Sequence, residues 1–255
     1  MLSTLLPYAL LWLGLVPLAH FMIRAPWQVS TAFWVVVPLV TVPIWFMHQP
    51  LSAWSPVDLI KGTVFILSAL GISIRPIWQR SSLRLFGWLA ILSLVLNVVP
   101  GIAIDLSYGT PLNALVGVLV LVGIGGWRSV SYGPVREVEH MNMDLGWAWV
   151  VAYTAWVMSV SAMMADGRVL GRQISGLLAA LVLLPWWGQE RWITLRIYGV
   201  GLFFLGVFTL RPLFETWLDT PGGPFPRVAL GCSIVGLGGA VLAVRRNWRR
   251  WFSAG

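Results

Sequence analysis

Long apolar stretches follow one another along almost the whole chain, from Leu5 to Val244, and most charged residues lie in the short segments between them. A helix needs about 20 predominantly apolar residues to cross the hydrocarbon core of a bilayer. Nine windows approach that length: 5–23, 29–47, 57–74, 85–104, 111–127, 145–164, 174–187, 192–210 and 228–244. The pattern predicts an all-α fold, a polytopic transmembrane helical bundle with about eight or nine spans.

The seventh window, 174–187, is the shortest and carries Pro185 near its end. Only residues 188–191 separate it from the eighth window. This pair is interpreted either as two full helices or as two half-helices or a re-entrant hairpin, since non-helical backbone is tolerated at membrane depth where protein covers it. The alternatives change the span count by one or two.

Composition excludes a soluble domain, because 10% charged residues and a mean hydropathy of +0.81 leave too little polar surface for a water-exposed globule. One integral membrane domain over residues 1–255 is therefore predicted, with a basic tail at 245–255. The single Cys232 excludes a disulfide framework. The net charge of +8 is spread over many loops, so no nucleic-acid partner is expected, and no cofactor can be named.

Arginine positions predict the orientation, because cationic loops are retained in the cytoplasm during insertion. With nine helices and the tail inside, the inner segments collect most arginines: Arg24, Arg75, Arg80, Arg84, Arg128, Arg136, Arg191 and Arg196. The chain is thus expected in the cell inner (plasma) membrane as a multi-pass protein with a cytoplasmic C-terminus. The N-terminus carries no Lys or Arg in residues 1–4, so we expect the first helix to be retained rather than cleaved.

The tail sequence RRNWRRWF suits an anionic inner leaflet, and an ordinary anchor explains it. Tryptophans near the predicted helix ends are interpreted as an interfacial belt: Trp27, Trp54, Trp78, Trp88, Trp127, Trp186, Trp187, Trp192, Trp217 and Trp248. The GIGG run at residues 123–126 is interpreted as a helix-packing surface.

A few polar groups at membrane depth are the candidates for function, because a charge there normally faces a partner or a wet cavity. Lys61 is the only lysine, with Asp58 three residues before it on the same helix face. The predicted topology places Asn97, Asp105 and Asn113 at the same outer level. These five residues are predicted to form one outer polar group. The alternative is that Lys61 reaches the headgroups while the two acids cap helix ends.

A second group is predicted toward the cytoplasm. The sixth window is expected to open at Asp144, where an acid favours the positive end of the helix dipole, and it continues past Tyr153 and Thr154. Glu190 and Arg191, in the turn between windows seven and eight, are expected to pair with Asp144 or with each other. Capping by Asp144 and proton transfer through it both remain open.

A resemblance accompanies these residues. Lys61, LNVVPGIAIDL, TPLNALVGVLVLVGIGGW, DLGWAWVVAYTAW and ERWITL resemble an uncharacterised family of bacterial multi-spanning membrane proteins, known as a domain of unknown function, from about Trp54 to Leu210. Matching positions are Lys61, Asn97, Asp105, Asn113, Asp144, Trp147, Trp149, Tyr153 and Arg191. The family tends to place an acid and an amide where this chain has Thr154 and Val157. The resemblance implies a bacterial polytopic fold and no activity.

No enzyme motif accompanies these groups. His20, His48 and His140 are isolated and are interpreted as interfacial, because HExxH spacing is absent. A retinal Schiff base on Lys61 is disfavoured, since that lysine lies near a helix end.

Two functions remain: a transporter or channel for a small solute, ion or proton, or a non-catalytic membrane subunit or scaffold that binds partner helices or further copies of itself. Transport is favoured because charge and broken helices lie at membrane depth. The lipid bilayer is the expected partner in either case.

Overall fold

The computed structural model describes residues 2–48, 56–74, 77, 83–135, 137–210 and 223–252. Nine α-helices occur in these ranges: α1 Leu2–Arg24, α2 Trp27–His48, α3 Pro56–Ser73, α4 Leu83–Ser107, α5 Pro111–Val122, α6 Trp147–Met163, α7 Leu170–Trp187, α8 Trp192–Thr209 and α9 Pro226–Phe252. Three of them begin at a proline, a favoured first helical residue because its missing N–H has no partner there. The all-α prediction is confirmed.

Six segments in the described ranges are long and apolar enough to cross a membrane: Trp27–Met47, Leu83–Ser107, Trp147–Gly167, Leu170–Trp187, Gln189–Thr209 and Pro226–Phe252. Three shorter apolar helices accompany them at Tyr8–Arg24, Leu59–Ser73 and Pro111–Val122. A chain built of such helices is a membrane-embedded protein.

The chain folds into two compact units. The first unit comprises Met1–Ser81, Tyr132–Met141 and Ser175–Leu218. Helix α8 is its centre, since almost every residue of that helix is buried. Glycine allows close packing here, because a Cβ at Gly201 would lie 2.7 Å from the ring of Trp34. Toward the end of α8 the core is aromatic, with Phe204 stacked on Phe65 and in ring contact with Phe208.

The second unit comprises Ser82–Ser131, Asn142–Ile174 and Asp219–Gly255. Helices α6 and α9 form its closest pair, because small residues bring their backbones together. A Cβ at Gly239 would lie 2.8 Å from the carbonyl oxygen of Ala148. The ring of Trp156 fills the space left by two other glycines, with atoms 2.6 Å from a Cβ at Gly101 and 2.9 Å from one at Gly117.

The fifth helix ends five residues earlier than predicted. It stops at Val122, and Gly125 and Gly126 both adopt a φ of +79°. This left-handed conformation ends a helix at little cost only when the residue has no Cβ. The GIGG run is therefore a loop, although its glycines do permit close packing, with Gly126 against the ring of Trp251.

The sequence reading missed a β-hairpin. Strands β1 Val130–Val135 and β2 Val138–Met143 pair with two residues between them. The pattern of apolar windows placed these residues in an inner segment between 111–127 and 145–164 and predicted no strand there. The middle of the hairpin, residues 132–141, belongs to the first unit.

The uncertain seventh window is one continuous helix, Leu170–Trp187, which starts four residues before the predicted window and contains Pro185. The predicted tryptophan belt is only partly correct. Trp88 and Trp248 are exposed as a belt requires, but Trp187 and Trp192 are 2% and 1% exposed and belong to the protein interior. Trp54, Trp78 and Trp217 lie outside the described residues.

Candidate functional site

Asp105 is a buried acid of the second unit, and three side chains donate hydrogen bonds to it. It lies near the end of α4 and is 2% exposed. Its Oδ1 accepts hydrogen bonds from Asn113 Nδ2 at 2.8 Å and Thr110 Oγ1 at 3.2 Å, while Oδ2 accepts one from Trp156 Nε1 at 3.0 Å. The structure thus brings Asp105 and Asn113 together as predicted. It adds Trp156, whose spacing alone indicated only a helix face.

Asn113 extends this cluster toward α9. Its Oδ1 accepts a hydrogen bond from Ser233 Oγ at 3.2 Å, and Ser233 Oγ lies 3.0 Å from Ser159 Oγ. Ser159 also donates to the carbonyl of Ala229. These contacts join α5, α6 and α9. The side chains of Asn113, Ser159 and Ser233 are all buried. We call Asp105, Asn113, Trp156, Ser159 and Ser233 the carboxylate cluster.

Asn97 has a different partner from the one predicted for it. It lies eight residues before Asp105, about 12 Å along the helix axis, and its Nδ2 donates to Tyr153 Oη at 2.8 Å. Tyr153 is 1% exposed and stacks on Trp149. Thr154, the next residue, is half-buried, and its Oγ1 has no hydrogen-bond partner among the described residues.

Asp144 does not open a helix, so the predicted capping is wrong. Gly146, with a φ of +81°, precedes α6 and fixes its start at Trp147. Asp144 instead accepts from Arg246 at 2.9 Å and from Arg250 at 2.7 Å, two residues of α9. Burial alone would raise the pKa of Asp144, but the hydrogen bond from Arg250 and the charges of Arg246 and Arg250 outweigh it, so the pKa lies below its ordinary value.

Lys61 and Asp58 both lie on α3, in the first unit. Lys61 is half-buried, and the side chain of Asp58 lies outside the described part. Glu190 and Arg191 form a 3₁₀ turn, Gln189–Arg191, that leads into α8. The predicted outer group of five is thus represented in the carboxylate cluster only by Asp105 and Asn113.

A second polar cluster occupies the first unit, and sequence reasoning missed it. Tyr198 Oη lies 3.1 Å from Ser73 Oγ, 3.4 Å from Ser30 Oγ and 3.5 Å from His140 Nε2. Ser30 and Ser73 are 2.7 Å apart. We call these four residues the hydroxyl–imidazole cluster; Tyr198 and the two serines come from helices, and His140 from β2.

The members of the hydroxyl–imidazole cluster are fully buried, with His140 and both serines at 0% exposure. The prediction that His140 is interfacial is therefore wrong. Its Nδ1 has no hydrogen-bond partner among the described residues, although a buried polar atom normally finds one. Ser73 is the last residue of α3, and Ser30 lies in the first turn of α2, so the cluster lies near one end of the helices of this unit.

Two residues hold the hairpin in place: Arg191, just before α8, and Thr194, in the first turn of α8. Arg191 Nη2 donates to the carbonyls of Gly133 at 2.9 Å and Val138 at 2.6 Å. Thr194 Oγ1 donates to the carbonyl of Met141 at 3.0 Å. Arg191 is 0% exposed, so its guanidinium lies inside the protein. Its guanidinium binds these backbone carbonyls, whereas Asp144 binds Arg246 and Arg250.

The two clusters differ in what they can do chemically. An indole N–H and an amide NH₂ only donate, and an ionised carboxylate only accepts, so the bonds at Asp105 have a fixed direction. A hydroxyl donates and accepts, and a neutral imidazole has one nitrogen of each kind. The proton on Tyr198 can therefore point to Ser73 or to His140, which permits proton exchange along this cluster.

No protein-family model, no curated protein and no solved structure matches the chain. Among the described residues, no group of three or more His, Cys, Asp and Glu is placed to hold a metal ion. The functional argument therefore depends on the two clusters themselves.

Proposed function

We propose that this protein is a membrane transporter that binds and releases a proton, alone or together with a small solute, at the hydroxyl–imidazole cluster. The observation that carries the proposal is the buried contact between Tyr198 and His140 with a hydroxyl pair behind it. Polar groups buried at membrane depth are costly, and histidine and its neighbours recur in proton pathways for this reason.

His140 is the group that would carry the proton. Its ordinary pKa lies near neutrality, so it changes charge within the physiological range, which no serine or tyrosine does. One imidazole nitrogen faces Tyr198, and Nδ1 has no hydrogen-bond partner in the part of the chain that the structure describes. When Nε2–H donates to Tyr198, Nδ1 carries the lone pair and is the atom at which a proton or a donor group of a solute would bind.

Aromatic side chains support a transporter rather than an open channel. Beyond Tyr198, the same helix carries Phe203, Phe204 and Phe208, and all three rings are buried. Phe208 also meets the ring of Trp45, at 5.1 Å between centroids. A packed aromatic core leaves no wet path along this part of α8, so passage requires a conformational change, as in alternating access.

The position in the cell is part of the proposal. We place the chain in a bacterial inner membrane, with the arginines at the end of α9 in the cytoplasm. Cys232 is the only cysteine, so a Cys232→Ser chain is a clean background for single cysteines. Labelling of a cysteine at residue 249 from the cytoplasmic side only is the expected result, and labelling from the opposite side would reverse the orientation.

Proton flux in proteoliposomes tests the function. Wild-type protein is expected to dissipate an imposed pH gradient, and Tyr198→Phe is expected to abolish this flux because it removes the oxygen between Ser73 and His140. His140→Gln should do the same. Tyr153→Phe is the matched control, since it removes a buried tyrosine hydroxyl from the second unit, and it should retain flux.

Folding of each variant is checked by thermal unfolding in detergent. Wild-type protein that moves no proton or small ion under pH, sodium and potassium gradients would overturn the proton proposal. It would favour the alternative of a scaffold or subunit that binds partner helices. Equal flux in Tyr198→Phe and wild type would remove the hydroxyl–imidazole cluster from the pathway.

A further inference from the structure

An open-sided groove of about 400 Å³ lies in the second unit. Its walls come from three elements: Ile91 and Val95 of α4, Ile124 after α5, and Trp248, Trp251 and Phe252 at the end of α9. These side chains present almost only carbon to the groove. An occupant must therefore be apolar over the length that the groove covers.

The aromatic wall is held in position. Trp251 Nε1 donates to the carbonyl of Val122 at 2.9 Å, and its ring packs against Gly126 and lies 6.3 Å from the ring of Trp88. Trp248 and Phe252 are in ring contact at 5.1 Å. A groove whose walls are anchored in this way keeps its shape without an occupant.

Four arginines near this groove have two different environments. Arg246 and Arg250 bind Asp144. Arg245 and Arg249 are exposed, and they precede Trp248 and Phe252 by three residues each, which places them on the same helix face as the groove lining. A cationic rim therefore borders the apolar groove. Arg84, also exposed, lies one turn before Trp88 on α4.

We propose that this groove binds one acyl chain of an anionic phospholipid, whose phosphate group is held by Arg245 and Arg249. Guanidinium groups bind phosphate oxygens through charge-assisted, often bidentate hydrogen bonds. The exposed indoles of Trp88 and Trp248 occupy the level at which aromatic side chains meet lipid headgroups. The cations match the anionic headgroup of this lipid, and the apolar groove matches its acyl chain. Selection of an anionic phospholipid requires both features. The inference does not depend on proton transport.

Lipid titration of the full chain in detergent, read by native mass spectrometry, tests this inference. The probes are dioleoyl phosphatidylglycerol and dioleoyl phosphatidylcholine, which share their acyl chains and differ in charge. Phosphatidylglycerol is expected to bind at least about tenfold more tightly, from the two guanidiniums near its phosphate. Equal affinity for the two lipids would overturn the proposal.

The matched variants are Arg245→Gln with Arg249→Gln, and Arg168→Gln with Arg227→Gln as control. Both pairs remove two charges from exposed positions of the second unit. Only the first pair should abolish the preference for phosphatidylglycerol. The same loss in both pairs would show a general charge effect and overturn the site.

Acyl-chain binding is tested separately with dihexanoyl phosphatidylglycerol. This lipid has the same headgroup, but its short chains cannot fill the groove, so we expect much weaker binding than with the dioleoyl lipid. Equal occupancy by both would contradict the groove as the acyl-chain site. A copurifying helical protein could instead displace dioleoyl phosphatidylglycerol from the full chain. If excess dioleoyl phosphatidylglycerol then failed to displace that protein, the groove would be assigned to a protein partner and the lipid proposal would be overturned.

Discussion

The indole nitrogen of Trp156 donates a 3.0 Å hydrogen bond to Oδ2 of Asp105, and Asn113 donates to Oδ1 of the same carboxylate at 2.8 Å. One acid therefore joins three helices, because Asp105 lies on α4, Asn113 on α5 and Trp156 on α6. Its hydrogen bonds satisfy a group that would otherwise be very costly to bury.

Replacement of Asp105 by Asn should destabilise the second unit by about 2–3 kcal/mol, because an amide nitrogen would face the donors of Asn113 or Trp156. Trp156→Phe should cost a comparable amount, since it removes one donor and also the indole atoms that lie nearest Gly101 and Gly117. Unfolding in a denaturing detergent titration measures both. An Asn variant as stable as wild type would contradict the acceptor role of both Asp105 oxygens.

Adjacent glycines of α9 offer a matched test of helix packing. Gly239→Ala should destabilise the protein by about 1–3 kcal/mol, because its Cβ would lie 2.8 Å from the carbonyl oxygen of Ala148. Gly238→Ala meets nothing within 4 Å and should be neutral or stabilise by up to about 1 kcal/mol through helix propensity. Thermal unfolding of the two variants measures the difference, and equal effects would contradict this packing of α6 and α9.

Much of the fold could be predicted from apolar length alone. Each of the nine windows contains a helix, because backbone groups in an apolar environment must bond within their own segment. The end of α5 was misplaced because residues 123–127 carry no charge, and the positive φ of Gly125 and Gly126 that ends the helix is not visible in an apolar pattern. The hairpin was missed because strand β2 contains Glu139 and His140. In a sequence pattern, two such polar residues side by side indicate a solvated loop.

The functional residues were less accessible to sequence reasoning. Asp105 and Asn113 could be paired, because both lie near a short loop between consecutive helices. Ser30, Ser73 and Tyr198 could not, since serine and tyrosine in a helix are ordinary and their contacts join segments 43 to 168 residues apart. The available signal was the spacing of Thr194 and Tyr198, one turn apart on α8, with Arg191 just before that helix, and it cannot be interpreted without knowledge of the hairpin.

Acid should weaken the contribution of Asp144 to stability. Its folded pKa lies below the ordinary value of 3.8, so its ion pairs contribute above that pH and are lost as the pH falls through the lowered pKa. Wild type should therefore exceed Asp144→Asn in stability near neutral pH, and the difference should shrink as the pH falls below 3.8 and through the lowered pKa. The side chain is 43% exposed, so high salt should also reduce the difference. A difference that grows on acidification would contradict the pairing with Arg246 and Arg250.

The shape of the Arg191 side chain, and not only its positive charge, should be required to hold the hairpin in position. One guanidinium nitrogen bonds the carbonyls of Gly133 and Val138, on both strands. Arg191→Lys keeps the charge, but its ammonium lacks the planar fork and the reach of the longer side chain. We expect a loss of about 1.5–3 kcal/mol in local stability, typical of hydrogen bonds to a charged group.

Amide hydrogen exchange of the hairpin segment measures this loss. Exchange over residues 137–143 should accelerate in Arg191→Lys, and the helices of the second unit should keep their protection. Arg168→Lys is the control, because Arg168 is exposed and, among the residues that the structure describes, donates to the nearby carbonyl of Ala165 alone. If the hairpin exchanged at the same rate in wild type and Arg191→Lys, its position would depend on Thr194 and apolar packing. Since His140 lies on this hairpin, proton flux in Arg191→Lys should fall together with the protection of the hairpin amides. The Asp105 variants should instead lower the stability of the second unit.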